Sequence, residues 1–284
     1  MPVGDQWRPA CSLAALRARG ELLAQLRGFF AARDVLEVQT GCLGACTVTD
    51  LHIDSIAVPG LGYLQTSPEY QLKRLLAAGA PSLYQLGPVF RAGEVGRLHN
   101  PEFTLLEWYR LGYDDAALMA ELMELVDLVL GPADYQQISY AEVVSRSTLP
   151  DADEDFAFAD GLSALGGVRV FVTDYPVEQA ALARLRGSPP VAARFELIIS
   201  GVEIANGYHE LADAEQLRKR FAADLAERGH RGSEILEIDP AFLAAMEAGL
   251  PECAGVAMGV DRLLMLKLGA QSLAEVMAFP IDRA

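Results

Sequence analysis

Residues 193–210 set the tightest limit on what this chain can fold into. Two apolar runs, 193–200 and 202–209, are joined by Ser200-Gly201, and each carries a carboxylate that a plain sheet would not hold. Glu196 sits within Phe195-Glu196-Leu197-Ile198-Ile199, and Glu203 opens Val202-Glu203-Ile204-Ala205-Asn206-Gly207-Tyr208. Glu210 follows, so the three carboxylates are spaced by seven. An unpaired buried carboxylate is costly, so these groups are expected to meet a cation, a metal or a hydrogen-bond donor. A turn at Ser200-Gly201 would bring Glu196 and Glu203 together, and a bulge at Gly207 would let Glu203 and Glu210 share a face. Two readings stay open: a solvent-facing row on a half-exposed strand, or two carboxylates bridging magnesium near phosphates with the third binding an ammonium group.

The rest of the chain reads as alternating groups of strands and helices. Apolar spacing predicts a helix over 12–34, capped by Ser12, then a short strand at 35–38. Runs 51–58 and 63–66 suit a hairpin around Pro59-Gly60-Leu61-Gly62. Ser67-Pro68-Glu69 is a helix start, with Ser67 as cap, Pro68 at the first position and Gly79 after the last turn. Strands are expected at 83–91 and 102–110, around a polar loop, and a strongly apolar helix at 114–130. The stretch 148–167 is acidic and rich in small residues, and reads as a loose insertion. Further strands fall at 168–173 and 253–260, and helices at 213–228, 240–248 and 261–269. Short connections imply antiparallel pairing, so the fold class is α+β, an antiparallel sheet flanked by helices, in a single domain over 1–284.

Several classes of function are excluded early. There is no GxxxxGK[ST] loop, no GxGxxG turn, no HExxH and no GxSxG, so a nucleotide would have to be held by another fold. Lys plus Arg number 23 against 39 Asp plus Glu, a net charge of −16, which argues against a large electrostatic footprint on nucleic acid. The four cysteines form no CxxC pair, so a zinc site is poorly supported. No apolar run spans a bilayer and the first residues carry no leader pattern, so the protein reads as cytoplasmic, with no membrane partner.

Two arginines stand where phosphates are commonly met. Arg91 ends an apolar strand, and Phe103 lies on the return strand after a loop holding Arg97 and His99. An arginine at a strand end suits a phosphate and an aromatic suits a stacked base, although the same pattern fits a hairpin with a solvated tip. Arg262, in Met258-Gly259-Val260-Asp261-Arg262, sits at a strand-to-helix junction; the plain alternative is an ion pair with Asp261.

These pieces, in this order, resemble a class II aminoacyl-tRNA synthetase catalytic domain. Phe90-Arg91 through Arg97-Leu98-His99-Asn100-Pro101-Glu102-Phe103-Thr104-Leu105-Leu106-Glu107-Trp108-Tyr109 is similar to the second motif in its lysyl form. Gly255-Val256-Ala257-Met258-Gly259-Val260-Asp261-Arg262-Leu263 is similar to the third, and the 12–34 helix with 35–40 to the first, which builds the dimer interface. The resemblance covers nearly the whole chain. The first motif begins near residue 12, leaving no room for an anticodon-binding domain, and Ser67-Pro68-Glu69-Tyr70 with Ala274-Glu275-Val276 resembles the lysyl-tRNA synthetase paralogues that modify elongation factor P.

That resemblance implies an ATP-dependent ligase that joins β-lysine or lysine, through an adenylate, to a lysine of elongation factor P. It implies Arg91 on the α-phosphate and Arg262 on the γ-phosphate of ATP as the catalytic pair, and Phe103 stacked on adenine. Ala92, Gly93, Asn100, Glu203, Ile204 and Gly259 would complete the nucleotide site, with Glu196 and Glu203 on Mg²⁺. Ser67, Pro68 and Glu69 would meet the substrate, Glu69 at its amino group, while Tyr109, Asn206 and Glu210 surround the distal ammonium. Ala257, where lysyl-tRNA synthetases commonly have Gly, hints at a displaced amino group. A homodimer and little affinity for tRNA are also implied. The chain departs from the family at Gly93, where an acidic residue is common and Glu94 follows, at Thr40-Gly41 in place of Thr-Pro, and in the short 148–167 stretch. A minimal tRNA-charging enzyme and a non-catalytic lysine-binding paralogue are the competing readings.

Overall fold

Ser12 starts the first element: its Oγ accepts from the Ala15 N–H at 3.1 Å, and helix α1 runs Leu13–Ala31. The computed structural model describes residues 7–149 and 153–284, so the first six residues, read above for a leader, and 150–152 of the expected insertion lie outside the described residues. Helix α1 stops short of residue 34 because Asp34 takes φ +52°, and the Val35 N–H folds back onto the Phe30 carbonyl at 3.1 Å. By its internal contacts the chain divides into two compact units: 1–108, 213–251 and 259–284 form the first, and 109–212 with 252–258 the second.

In the first unit α1 leads to β1 (Leu36–Glu37), β2 (Leu43–Gly44), β3 (Ala57–Val58), β4 (Gly62–Leu64), α2 (Glu69–Ala77), β5 (Leu83–Phe90) and the start of β6 (Glu102–Leu111). β1 runs parallel to β5, with β6 on the other side of β5, while β2, β4 and β3 form a small antiparallel sheet. Period-2 alternation in β6 sends Trp108 onto the core face, where Phe30 of α1 meets it edge-on at 5.4 Å and stacks on Tyr84 at 4.4 Å.

The second unit holds the end of β6, α3 (Asp115–Leu130), β7 (Tyr135–Ser139), α4 (Tyr140–Ser145), α5 (Glu154–Ser163), β8 (Arg169–Tyr175), β9 (Leu185–Arg186), β10 (Val191–Ile199) and β11 (Val202–His209). After α6 (Ala214–His230) and α7 (Pro240–Gly249) of the first unit, β12 (Cys253–Gly259) returns to the second, and α8 (Val260–Leu268) closes the first. Within the second unit the strand order is β12-β11-β10-β8-β7, with β9 also on β10. The pairing is mixed rather than wholly antiparallel: β7 runs parallel to β8, as β1 does to β5. The α+β class stands.

The 148–167 stretch is not loose where it is described. Asp153 caps α5 by accepting from the Phe156 N–H, and Phe158 stacks on Tyr140 at 4.6 Å. Phe158 and Leu162 thereby join the core of Val143, Val170, Val172 and Tyr175. Among the described residues no helix is long and apolar enough to cross a membrane.

Candidate active site

In the first unit, β5 delivers Arg91 at its end as expected. The Arg91 N–H donates to the Pro101 carbonyl at 2.8 Å, which pins the two ends of the 92–100 loop. Its guanidinium donates through Nε to the Thr66 carbonyl at 3.3 Å, meets Glu94 at 3.5 Å and lies 5.1 Å from the centre of the Phe103 ring. Gly93 takes φ +75°, a conformation an acidic side chain would strain, and the turn it makes puts Glu94 on Arg91 in its place. Ala92 is tied by its N–H to the Asp54 carbonyl at 2.8 Å. Asn100 is buried; its amide donates to the Glu102 carbonyl at 2.6 Å and accepts from the Ile281 N–H at 2.9 Å, so the structure uses it to hold the loop.

Arg262 does not pair with Asp261 as the plain alternative had it. Asp261 is buried and turned to α1, where Arg19 holds it at 2.5 Å. Arg262 turns instead to the 92–100 loop, donating to the Leu98 carbonyl at 3.3 Å and meeting His99 Nε2 at 2.9 Å. Gly259 occupies the capping position before α8, in an extended conformation.

Ser67 behaves as a helix-start residue, accepting from the Glu69 N–H at 3.0 Å, though the capping position itself falls on Pro68 and the helix begins at Glu69. The Ser67 hydroxyl also donates to Glu107 at 2.6 Å. Glu69 meets a cation of its own chain: Lys73, one helical turn on and 1 % exposed, lies 2.6 Å away. A buried ammonium needs such a partner, so Lys73 and Glu69 form one structural unit.

In the second unit the β10–β11 hairpin turns at Ser200 (φ +51°) and Gly201 (φ +75°), the two left-handed residues a two-residue turn requires. The predicted bulge at Gly207 is absent; Gly207 pairs regularly with Phe195, and its missing Cβ leaves room for the Phe195 ring. The bulge lies at Ile204. Leu197 pairs with Ala205 and Ile198 with Glu203, which leaves Ile204 as the extra residue. Ile204 and Ala205 are both buried, so the alternation resumes out of step, and Glu203 shares a face with Asn206, Tyr208 and Glu210. Glu196, opposite Asn206, points to that face too.

Arg194, two residues before Glu196 and therefore on the same side, holds the group together. It donates to Glu196 at 2.6 Å, to Asn206 at 3.3 Å and to the Gln179 carbonyl at 2.8 Å. Burial, and then the charge of Glu203, push the Glu196 carboxyl above the usual carboxylate range, against the pull of Arg194 and Tyr175. A carboxylate raised in this way beside a second one fits a divalent cation. Among the described residues no three His, Cys, Asp or Glu converge as a metal cage, so a magnesium ion here would need oxygens from phosphate or water as well.

Glu210 is 1 % exposed. Gly255 on β12 lies opposite Tyr208, and a Cβ there would run into both the Tyr109 ring and the Glu210 carboxylate, so these two side chains occupy one confined space. Ala257 pairs with Asn206 on the same face. A small pocket wall, an aromatic and a buried carboxylate suit an extended ammonium-bearing substrate. Sequence reasoning passed over Lys73, Glu107 and Arg194, although the i,i+4 spacing to Glu69 and the i,i+2 spacing to Glu196 marked two of them.

The chain is similar to known proteins over nearly its whole length. The family model described as tRNA synthetases class II (D, K and N) matches residues 6–283. A protein of Vibrio cholerae serotype O1 named "Elongation factor P--(R)-beta-lysine ligase" is 42 % identical over 321 aligned residues, covering 99 % of each chain. Proteins of the same name from Salmonella paratyphi B and Salmonella heidelberg are each 41 % identical over 319 residues, covering 98 % of each chain.

Proposed function

Because the chain belongs to the class II tRNA synthetases (D, K and N), we propose that it activates (R)-β-lysine, or lysine, with ATP and transfers it to a lysine side chain of elongation factor P. The observation that carries this reading is end-to-end likeness to ligases of that name, joined to a buried Glu210 beside Tyr109, the polar end that a lysine-type side chain needs.

Activation is in-line attack of the substrate carboxylate on the α-phosphorus of ATP, releasing pyrophosphate. It needs no covalent protein nucleophile, only positioning and charge neutralisation. Arg91 takes the α-phosphate, Arg262 the γ-phosphate, and Phe103 the adenine face, with Ala92, Gly93 and Gly259 supplying close backbone. Asn100 supports the loop that carries these groups. Glu196 and Glu203, with Ile204 next along β11, would hold Mg²⁺, which would supply charge neutralisation at the phosphates. Ser67, Pro68 and Glu69 meet the substrate, Glu69 at its amino group and fixed by Lys73; Tyr109, Asn206 and Glu210 receive the distal ammonium. In the second step the ε-amine of the acceptor lysine, having lost its proton, attacks the adenylate carbonyl and expels AMP, leaving an amide.

A net charge of −16 gives tRNA phosphates little long-range attraction, which favours the protein acceptor. We place the enzyme in the cytoplasm, where elongation factors work, as a homodimer through its first motif. The dimer rests on the family; Leu22, Leu26, Phe29 and Phe30 of α1 are buried within the chain itself. Labelled β-lysine and ATP offered with elongation factor P or with total tRNA test the reading. Label should enter the protein and survive mild base; charging of tRNA with none on the protein overturns it.

A further inference from the structure

Arg184 lies outside the motifs, in the turn before β9, yet it reaches the residue that the proposed function sets against the substrate ammonium. Its backbone N–H donates to the His209 carbonyl at 2.9 Å, and the Leu211 N–H donates to the Leu182 carbonyl at 2.9 Å. The 182–184 segment thus runs beside 209–211, with Ala183 bridged to Glu210. The Arg184 side chain then folds back. Nε donates to the Glu210 carbonyl at 3.2 Å and Nη2 to Glu252 at 2.8 Å. The other oxygen of Glu252 meets His209 Nε2 at 2.7 Å, and the Glu210 N–H donates to the Cys253 carbonyl at 3.1 Å. Both backbone polar groups of Glu210 are therefore held, the N–H by β12 and the carbonyl by Arg184.

We propose that Arg184 is a positioning residue for Glu210, and through it a determinant of affinity for lysine-type substrates. The inference rests on reading Glu210 as the ammonium ligand. A carboxylate that is 1 % exposed has little freedom to follow a misplaced ligand, so its aim is set by its backbone. The ion pair of Arg184 with Glu252 is largely exposed, at 32 % and 57 % of the two side chains, and contributes little to stability. Loss of Arg184 therefore changes placement and leaves the fold intact.

The test is ATP–pyrophosphate exchange with the full chain, comparing Arg184→Ala, Arg184→Lys, Glu210→Gln and the Arg184→Ala/Glu210→Gln double variant. Arg184→Ala should raise the KM for β-lysine roughly fivefold to tenfold, with the KM for ATP within about twofold and Tm within about 2 °C. Arg184→Lys keeps the charge but cannot donate to the carbonyl and to Glu252 from one planar group, so it should recover less than half of the loss. In the double variant the Arg184 effect should vanish. Equal changes in both KM values, or an undiminished Arg184 effect on top of Glu210→Gln, overturn the proposal. A normal Glu210→Gln loss with Arg184→Ala silent overturns it alone, whereas an unchanged β-lysine KM in Glu210→Gln removes the reading of Glu210 and the proposal with it.

Discussion

Asp261 accepts a hydrogen bond from the Thr104 backbone N–H at 2.6 Å, joining the first turn of α8 to the strand that carries Phe103. Arg19 of α1 completes the junction, donating to Asp261 and to the Thr104 hydroxyl, the latter at 2.6 Å. Three separate stretches of the first unit meet at one carboxylate. Asp261→Ala would strand the Arg19 cation and the Thr104 N–H beside a buried site, at a cost of about 3 kcal/mol. A urea unfolding midpoint unchanged by the substitution would show that the junction carries no stability.

Arg262, the neighbour turned the other way, is the residue that we assign to the γ-phosphate. Arg262→Ala should leave the unfolding midpoint close to that of the parent. Exchange of pyrophosphate into ATP should fall roughly a hundredfold, the usual effect of losing a charged donor in the transition state. Unaltered exchange kinetics would take Arg262 out of the phosphate site.

Gly255→Ala should act on the amino acid and spare the nucleotide. The added methyl competes with the Tyr109 ring and the Glu210 carboxylate, and one or both must move. The dissociation constant for β-lysine should rise at least ~tenfold, which is ~1.4 kcal/mol. Calorimetric titration that finds ATP weakened as much as β-lysine would place Gly255 in the general packing of the sheet.

Asp224 gives a pH dependence with a defined sign. Burial raises its carboxyl above the ordinary value, opposed by a hydrogen bond from Thr49, reinforced by Asp50 and opposed again by Arg220. Between the unfolded and folded pKa the native state binds the extra proton, so Asp224 lowers stability as pH rises through that window. Asp224→Asn removes the titration and retains an acceptor for the Thr49 hydroxyl. Its Tm gain over the parent should be larger at pH 7 than at pH 4, and an equal or reversed difference would contradict the sign.

Much of the fold was legible where local chemistry and long-range pairing agree. Ser200-Gly201 turned as expected because two successive left-handed residues leave a hairpin little choice, and Asp114, Asp213 and Asp239 start α3, α6 and α7 by accepting from their first-turn N–H groups. β7 and α4 went unread although Ser139 and Glu142 form a capping box, because Tyr135-Gln136-Gln137-Ile138 has too few apolar residues to signal a strand and gains its order from β8. α5 was read as loose for a like reason: small acidic residues mask the Phe158 and Leu162 that anchor it. Of the three carboxylates only Glu210 carries the burial cost that marked them, Glu196 being half-buried and Glu203 exposed, and Gly207 misled. A glycine in a strand signals either a bulge or a neighbour pressed close, and only the Phe195 ring across the hairpin distinguishes the two.

The extra residue at Ile204 also determines what can be moved as a piece. Glu203 shares its side with Asn206 only because β10 pairs Ile198 with Glu203 and Leu197 with Ala205. Grafted into another sheet without that partner strand, β11 would straighten into simple alternation and carry Glu203 to the reverse side. Deleting Ile204 would restore the ladder and keep Glu203 beside Asn206, because the two would then stand two places apart. The smallest transplantable part is therefore the whole hairpin, or a β11 shortened by that one residue, in which plain alternation alone keeps Glu203 on the side of Asn206.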